Sequence, residues 1–446
     1  MTNDDRHSSR RDFLRTSSAA AVAGGTVLHS LSPAQAAHTS FDETIRLGLI
    51  GCGGRGTDAA GQAMNTEGPT KLVAVADAFE GNLRRAVRRL NQSHGEKVDL
   101  PEERQFVGFD AYKGVLEQDI DVVLIATPPG FRPIHFEAAV AAGKHVFAEK
   151  PVAVDAPGVR RFLRSAEESK KRNLLVQIGL QRRHELAYME TMRRVQDGAI
   201  GPIRMARAYW NSGGVWVRPR RDDQTEMEYQ MRNWYYFNWL CGDHITEQHI
   251  HNLDVINWLM DDYPVKAQGQ GGRQVRTGKE FGEIYDHFFV EYTYGENNEM
   301  GRNVTLLSQC RHIRNCWGKV NEYAVGTDGS VDFGAAKLFN ARGEQTWEYG
   351  DGGRGGHQQE HHDLFADLRA GNHPNEAEYG AKSSMTSILG RMVTYSGQEI
   401  SWDEALNSNQ RLADVDSYHS FSDTPPVQPN KDMTYNIPMP GSHEVL

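Results

Sequence analysis

The chain has 446 residues, of which 39% are hydrophobic and 24% are charged, and its formal net charge is −10. This length accommodates one large domain or two medium ones, and this composition excludes a disordered or fibrous chain. The acidity argues against a nucleic-acid partner, which needs a basic patch, and four scattered cysteines are too few for a disulfide framework.

The first 36 residues have the features of an export signal. The pair Arg10-Arg11 precedes a small apolar run at 19–28 and an Ala-Gln-Ala cleavage pattern at 34–36. This pattern resembles a twin-arginine (Tat) signal, which predicts export by the Tat machinery to the periplasm or another extracytoplasmic space. The apolar run is shorter than the about 20 residues that span a bilayer. No later stretch is apolar enough, so we expect no integral membrane span in the mature chain.

A dinucleotide-binding motif opens the mature chain. A short apolar strand at 45–50 runs directly into Gly-Cys-Gly-Gly-Arg-Gly, and a helical segment follows at 57–65. In such a loop the first glycine permits the tight turn, the second lets the backbone approach a pyrophosphate, and the last allows close helix packing. The predicted cofactor contacts in this loop are Gly51, Gly53, Gly54, Arg55 and Gly56.

A second strand, at 71–77, ends in Asp77 about 20 residues beyond the glycines. An acid at this position accepts hydrogen bonds from ribose hydroxyls and so favours NAD over NADP. Arg84 and Arg85 lie close by in the sequence and could serve a 2′-phosphate, which leaves NADP open as an alternative.

Two further strands continue the pattern, at 121–126 and 145–148, with a helix near 134–142 between them. Alternating strands and helices predict an α/β fold with a doubly wound parallel sheet, whose ligands bind at the carboxyl ends of the strands. The residues that follow these two strands are therefore predicted cofactor contacts: Thr127, Pro128, Glu149 and Lys150.

An aromatic segment at 231–240 lies between the two halves of the chain. Aromatic faces can cover the apolar face of a sugar ring, so Trp234 and Tyr236 are candidate substrate contacts, although core packing explains such rings equally well. Arg182, with Arg183 beside it, is a further candidate for contact with substrate or cofactor.

The densest group of ionisable residues occupies 241–259. At about 100° per residue, a single helix over this segment places four of them on one face. Most other positions are apolar, so the helix is predicted to be buried, and a buried stripe of ionisable groups favours a functional site. Three of these side chains could also bind a metal, but a nicotinamide site explains them without one, and we predict no metal. The four residues are His244, Glu247, His251 and Asp254.

Two segments near the C-terminus also have informative residue patterns. A polar cluster at 357–363 indicates the start of a helix, with one or two substrate contacts. The Pro-rich stretch at 425–446 indicates an extended C-terminal arm.

Several of these motifs resemble those of the Gfo/Idh/MocA oxidoreductases: the glycine loop, Asp77, the Thr-Pro-Pro turn at 127–129 and especially Ala-Glu-Lys-Pro at 148–151. The resemblance implies a Rossmann domain at 44–178 and an α+β domain at 179–424. In that family the second domain has a large, mainly antiparallel open sheet, which carries the substrate site and often mediates homo-oligomerisation.

The resemblance also implies roles for the ionisable residues. The lysine of the family triplet lies near the nicotinamide and the substrate hydroxyl, a role that falls on Lys150. The family pattern Asp-x-x-x-His-x-x-Asp matches 247–254, with Glu247 replacing the first Asp. We therefore expect His251 to act as general acid/base, Lys150 to polarise the hydroxyl or relay its proton, and Glu247 to orient the substrate or the imidazole. The closing acid of the pattern, Asp254, is a candidate substrate contact.

Together these features predict an exported NAD(P)-dependent oxidoreductase that acts on a hydroxyl group of a sugar, cyclitol or glycoside. Free NAD is scarce outside the cytoplasm, so we expect a tightly bound cofactor that is recycled within one site. Two alternatives stay open. One is an NAD-dependent glycoside hydrolase that works by transient oxidation and elimination, and the other is a non-catalytic binding protein that retains the Rossmann shell.

Overall fold

The computed structural model describes residues 43–350 and 355–446. The predicted export signal, residues 1–36, lies outside these ranges. Within them, no helix combines the length and the apolar character that are needed to cross a membrane.

The first sheet has six strands, and every neighbouring pair is parallel. Its strands are β1 Ile45–Ile50, β2 Thr70–Asp77, β3 Gln105–Val107, β4 Val122–Ile125, β5 His145–Ala148 and β6 Val176–Ile178. Their order, β3-β2-β1-β4-β5-β6, reverses direction between β1 and β4, where ligands of doubly wound sheets bind. The helices of this half are α1 Gly54–Met64, α2 Glu80–His94, α3 Ala111–Leu116, α4 Arg132–Ala141 and α5 Ala156–Lys171.

The second sheet has nine strands and is antiparallel except for one pair. Its strands are β7 Ile203–Ser212, β8 Lys266–Gly272, β9 His287–Thr293, β10 Thr305–His312, β11 Lys319–Gly326, β12 Gly329–Asp332, β13 Lys337–Asn340, β14 Gln345–Glu348 and β15 Ile400–Ser401. The order is β14-β13-β12-β11-β7-β10-β9-β8-β15, and the parallel pair is β7 with β10. The predicted fold class, a Rossmann sheet plus a mainly antiparallel sheet, is confirmed.

Helices cover one face of the second sheet. The remaining helices are α6 Leu186–Gln196, α7 Glu226–Arg232, α8 Asn238–Cys241, α9 His244–Glu247, α10 Ile250–Met260, α11 Gly356–Arg369, α12 Ala377–Ser396 and α13 Trp402–Asn407. Burial alternates strictly along β9 and β10, because α10 and α12 pack on one face and leave the other partly open.

Helix α11 returns from the second sheet to the first. Leu364, Phe365 and Leu368 of α11 belong to the same buried cluster as Leu47 and Leu49 of β1. The described residues therefore form one compact unit rather than two separate bodies. This return brings the start of α11, where a polar helix start was predicted, next to α1.

The C-terminal segment lies extended on its own chain. Tyr285 donates a hydrogen bond to the backbone oxygen of Pro438 (2.8 Å), and Ser408 donates to that of Val445 (2.8 Å). The side chains of Tyr435 and Val445 in this segment are buried.

Candidate active site

The glycine loop has the shape that a dinucleotide diphosphate needs. Gly51 has a φ of +98°, and a Cβ there would lie 2.7 Å from the backbone of Ala126, while a Cβ at Gly56 would collide with the Gly51 carbonyl. By contrast, a Cβ at Gly53 or Gly54 would meet no atom within 4 Å. The N-terminus of α1 has no side-chain cap, so its N–H groups face this open space. The loop therefore fits the cofactor that the motif predicts.

Asp77 is tied to the same loop. It accepts hydrogen bonds from the backbone N–H groups of Cys52 (2.7 Å) and Phe79 (2.8 Å) and from the side chain of Asn82 (3.3 Å). Burial raises the pKa of Asp77. Of the two arginines that could serve a 2′-phosphate, Arg84 pairs with Glu80 and Arg85 donates a hydrogen bond to Asn82, both partners lying in α2.

The turn after β4 lies beside the glycine loop, because β4 pairs with β1. The hydroxyl of Thr127 lies 3.0 Å from Nδ1 of His135, and the Pro128 carbonyl accepts the N–H of Phe131 (3.0 Å) at the entry to α4. Thr127 and Pro128 thus lie at the predicted edge of the sheet, where they shape the turn through local bonds.

Lys150, at the carboxyl end of β5, contacts a residue of the other half of the chain. Its ammonium donates to Oε1 of Glu247 (3.0 Å) and to the backbone carbonyl of Glu247 (2.7 Å). Both side chains are nearly buried, with exposures of 12% and 11%. The second carboxylate oxygen of Glu247 has no hydrogen-bond partner, which leaves one acceptor for a ligand.

The single helix predicted over 241–259 is wrong. Gly242 adopts a left-handed conformation (φ +75°) that ends α8, and α9 is a single turn that stops at Glu247. The Glu247 carbonyl would accept the N–H of His251 in a continuous helix, but Lys150 occupies it, and His251 bonds instead to the Gln248 carbonyl. Helix α10 therefore starts anew, with His251 in its first turn.

His251 lies close enough to Lys150 for the ammonium to act on its pKa. Burial is the main cause of a pKa well below 6.5, and the charges of Lys150 and Arg182 lower it further. The ring of His251 stacks on Trp210 of β7, with centroids 5.9 Å apart and planes 23° apart. Lys150, Glu247 and His251, the three predicted catalytic residues, thus lie near one another at the end of β5.

The structure uses two of the predicted substrate contacts in buried ion pairs. Arg182 pairs with Glu322 of β11, and Asp254 accepts from the guanidinium of Arg183 (2.8 Å) and from Ser383 (2.7 Å). Asp254 is 1% exposed, so these partners occupy it fully. The structure does not bring the Asp254 carboxylate to an open surface.

Three other candidate substrate contacts lie at different depths. Trp234 is half-buried and forms an edge contact with Trp216, whose ring centroid lies 5.9 Å away. Tyr236 is 1% exposed and belongs to an aromatic core cluster. His244 is fully buried, hydrogen-bonded to Asp243, and stacked on a second imidazole. Only Trp234 of these three has a partly exposed ring.

Sequence reasoning missed two residues of this region. Trp210 lies on β7, and nothing in its local sequence marks it as the ring against His251. Glu322 of β11 is buried and also accepts from Tyr188 (3.0 Å) and from Asn252, the neighbour of His251. Both residues come from strands far away in the sequence, so no local pattern could have found them. Within the described ranges, no cluster of three or more His, Cys, Asp or Glu residues is arranged to hold a metal ion.

Comparison with known families agrees with this geometry. The profile described as "Oxidoreductase family, NAD-binding Rossmann fold" matches residues 45–178, and that of the "GFO/IDH/MocA C-terminal domain" matches residues 188–331. The chain belongs to the Gfo/Idh/MocA family, as its motifs predicted, and its first domain is an NAD-binding Rossmann domain.

The similar proteins are dehydrogenases and oxidoreductases. Inositol 2-dehydrogenase from Klebsiella pneumoniae (strain 342) is 30% identical over 222 residues, which are 49% of this chain and 55% of that protein. The chain thus spans about half the length of the curated relatives it matches.

Two solved structures share the fold. The aldose-aldose oxidoreductase from Caulobacter crescentus, complexed with glycerol, has a TM-score of 0.62 at 18% identity and covers 80% of this chain and 100% of its own. Levoglucosan dehydrogenase, in complex with NADH and levoglucosan, has a TM-score of 0.61 at 15% identity and covers 80% and 99%. At these identities the likeness shows the fold alone.

Proposed function

We propose that this protein is an exported NAD-dependent oxidoreductase that acts on a hydroxyl group of a sugar or cyclitol and keeps its cofactor tightly bound. The observation that carries the proposal is the contact of Lys150 with Glu247 beside a neutral His251, at the sheet edge that also holds the glycine loop. The relatives named inositol 2-dehydrogenase support the substrate class.

The side chains divide the chemistry of alcohol oxidation between them. NAD, when bound, supplies the acceptor for a hydride from the carbon that carries the hydroxyl. His251 accepts the hydroxyl proton, and burial and the nearby cations, which lower its pKa, leave its imidazole unprotonated before the reaction. The Lys150 ammonium donates a hydrogen bond to the same oxygen and stabilises its developing negative charge. Glu247 fixes the direction of that ammonium.

Export and cofactor retention belong to the same proposal. The twin-arginine pattern at Arg10-Arg11 supports passage through the Tat machinery, which accepts folded proteins that already hold a cofactor. Outside the cytoplasm, a cofactor released at each turnover would be lost. A tightly held cofactor that is reduced and reoxidised in one site avoids this loss. The open face of the second sheet is the proposed surface for homo-oligomerisation.

The cofactor test begins with the protein as purified from its exported fraction. Denaturation should release a nicotinamide dinucleotide, detected by its absorbance after enzymatic reduction. Addition of inositols, aldoses and levoglucosan to the intact protein should then reduce the bound cofactor. Absence of any dinucleotide together with no binding of added NAD contradicts the proposal. Release of the aryl group from an aryl glycoside would favour the hydrolase instead.

The location test compares the wild-type chain with a variant that carries R10K and R11K. The wild-type chain should reach the extracytoplasmic fraction, and the double variant should stay in the cytoplasm, with a cytoplasmic marker as control. Equal distribution of the two proteins contradicts export by the Tat route.

A further inference from the structure

Arg55 of the glycine loop joins three parts of the molecule. Its guanidinium pairs with Glu149, the residue before Lys150, and with Glu360 of α11 (2.9 Å). It also donates to the side-chain oxygen of Gln62 in α1 (2.6 Å). The side chains of Glu149 and Glu360 are 6% and 0% exposed, so both ion pairs are largely removed from water. These pairs resist separation, because each glutamate would be left as an unpaired buried charge, whereas the Arg55 side chain is 29% exposed.

Neighbouring groups hold the two glutamates in place. Gln177 of β6 donates to the backbone oxygen of Glu360 (2.5 Å). Gly179 leaves room for Glu149, because a Cβ there would lie 2.8 Å from Oε2 of that carboxylate. The guanidinium of Arg55 is therefore engaged from two sides within the protein, rather than directed at the open space over Gly53.

The charge of this cluster does not explain cofactor binding. Two carboxylates near a diphosphate site repel the diphosphate, so the glutamates oppose its binding electrostatically. Burial, together with the charge of Glu149, raises the pKa of Glu360 above its usual range, and the charge of Arg55 opposes that rise. What Glu360 does provide is a connection between α11, the helix that returns from the second sheet, and the N-terminus of α1.

We propose that Glu360, acting through Arg55, is a positioning residue that fastens α11 to the phosphate-binding end of α1 and so slows release of the dinucleotide. Release of the diphosphate by outward movement of the α1 N-terminus would have to separate Arg55 from Glu149 and Glu360. The inference rests on the proposed function, because it takes NAD to bind over Gly53 and Gly54. The inference assigns the tight retention of the cofactor to α11, a helix from the second half of the chain.

The test measures how fast NADH leaves the full-length protein. Wild type, Glu360→Gln and Gln358→Ala are loaded with NADH, an excess of NAD is added, and the loss of bound NADH fluorescence gives the dissociation rate. Glu360→Gln should release NADH about tenfold faster, the factor expected for losing one charge-assisted hydrogen bond. Gln358→Ala is the matched control, because Gln358 joins α11 to the C-terminal part of α1, through the backbone carbonyl of Gln62 (3.0 Å), rather than to the α1 N-terminus through Arg55. Its rate should equal that of wild type.

The sign of the effect separates the explanations. If repulsion dominated, Glu360→Gln would slow the release, and if Glu360 were only structural, it would lower the unfolding midpoint of the cofactor-free protein without changing the rate. Either result overturns the inference. Arg55→Lys keeps the positive charge but cannot span both carboxylates, so it should also speed the release of NADH. If Glu360→Gln does not fold, the rate of Arg55→Lys tests the inference in its place. Failure of the wild-type protein to bind NADH would contradict the proposed function itself.

Discussion

The ammonium of Lys150 donates to two oxygens of Glu247, a residue 97 positions further along the chain. One of these is the carbonyl that a continuous helix would offer to the N–H of His251. Lys150 therefore contacts the chain at the point where α9 ends, and α10 then begins with His251 in its first turn.

Lys150→Ala should lower turnover about a thousandfold, within the range for loss of a positioned acid/base group, and should leave the dinucleotide content nearly unchanged. The measurement pairs steady-state kinetics with the cofactor absorbance of the denatured protein. Lys144→Ala is the matched control, since Lys144 also donates to a backbone carbonyl, that of Ile120 (3.0 Å), but away from the site. Equal activity of the two variants would remove Lys150 from the mechanism.

His251 should be the proton acceptor over the whole neutral range. Because burial, Lys150 and Arg182 hold its pKa well below 6.5, acidification to pH 6.5 should not protonate it. The value of kcat/KM should therefore stay constant down to pH 6.5, and its decline on the acidic side should begin only at a lower pH. His251→Asn should reduce turnover about a hundredfold or more. A fall in kcat/KM that begins at or above pH 6.5 in the wild type and is absent in His251→Asn would contradict a neutral His251.

Asp77→Asn should weaken NAD binding about tenfold, because a neutral amide is a poorer acceptor for ribose hydroxyls and for the Cys52 N–H. It should also narrow the preference for NAD over NADP. Asp121→Asn is a suitable control, as Asp121 accepts the N–H of Arg46 (2.7 Å) at the opposite end of β1. Titration of both variants with each dinucleotide provides the check, and unchanged selectivity would place the preference elsewhere.

Asp254→Asn should act on stability rather than on substrate affinity. Its carboxylate is 1% exposed and is bound by Arg183 and Ser383, so the substitution leaves a buried guanidinium underpaired. We expect the free energy of unfolding to fall by about 3 kcal/mol, with KM unchanged. Denaturant unfolding and kinetics of the same preparation decide the point. A raised KM at an unchanged free energy of unfolding would instead support the predicted role of Asp254 as a substrate contact.

His184 should make stability depend on pH in the alkaline range. Burial alone would lower its pKa, but a hydrogen bond to Asp363 (2.6 Å) and the carboxylate of Glu376, 3.6 Å from Nε2, outweigh burial and raise the pKa to about 10. The folded state thus holds a proton that the unfolded state loses near pH 6.5. The contribution is complete below that pH and is lost as the pH rises through 10.

His184→Gln tests this dependence. It should lower the free energy of unfolding by about 2 kcal/mol near pH 6, a value reduced by the partial exposure of Asp363. The difference from wild type should shrink toward pH 10. A difference that is constant with pH would mean that the imidazole is neutral in the folded protein.

The first half of the site was accessible from the sequence because its determinants are local. Gly51 needs glycine for its positive φ and Gly56 for its close approach to the Gly51 carbonyl, while Asp77 ends the buried strand β2 and Lys150 follows the buried strand β5. Parallel strands bring their carboxyl ends to one edge, so strand order was sufficient to place these residues together.

The second half depended on tertiary structure. Helical periodicity placed His244 and Asp254 on one face with Glu247 and His251, but the helix breaks where Lys150 takes the Glu247 carbonyl. His244 is bound by Asp243, and Asp254 is bound by Arg183 and Ser383.

The sequence by itself determined the cofactor loop, the fold class and the family, because backbone conformation and strand burial leave a local trace in residue type. Only the tertiary structure decided which ionisable groups remain available to a ligand. Long-range partners such as Arg183 for Asp254, and Glu360 for Arg55, neutralise a side chain from far along the chain, and a buried charge is bound by whichever opposite charge the fold brings to it.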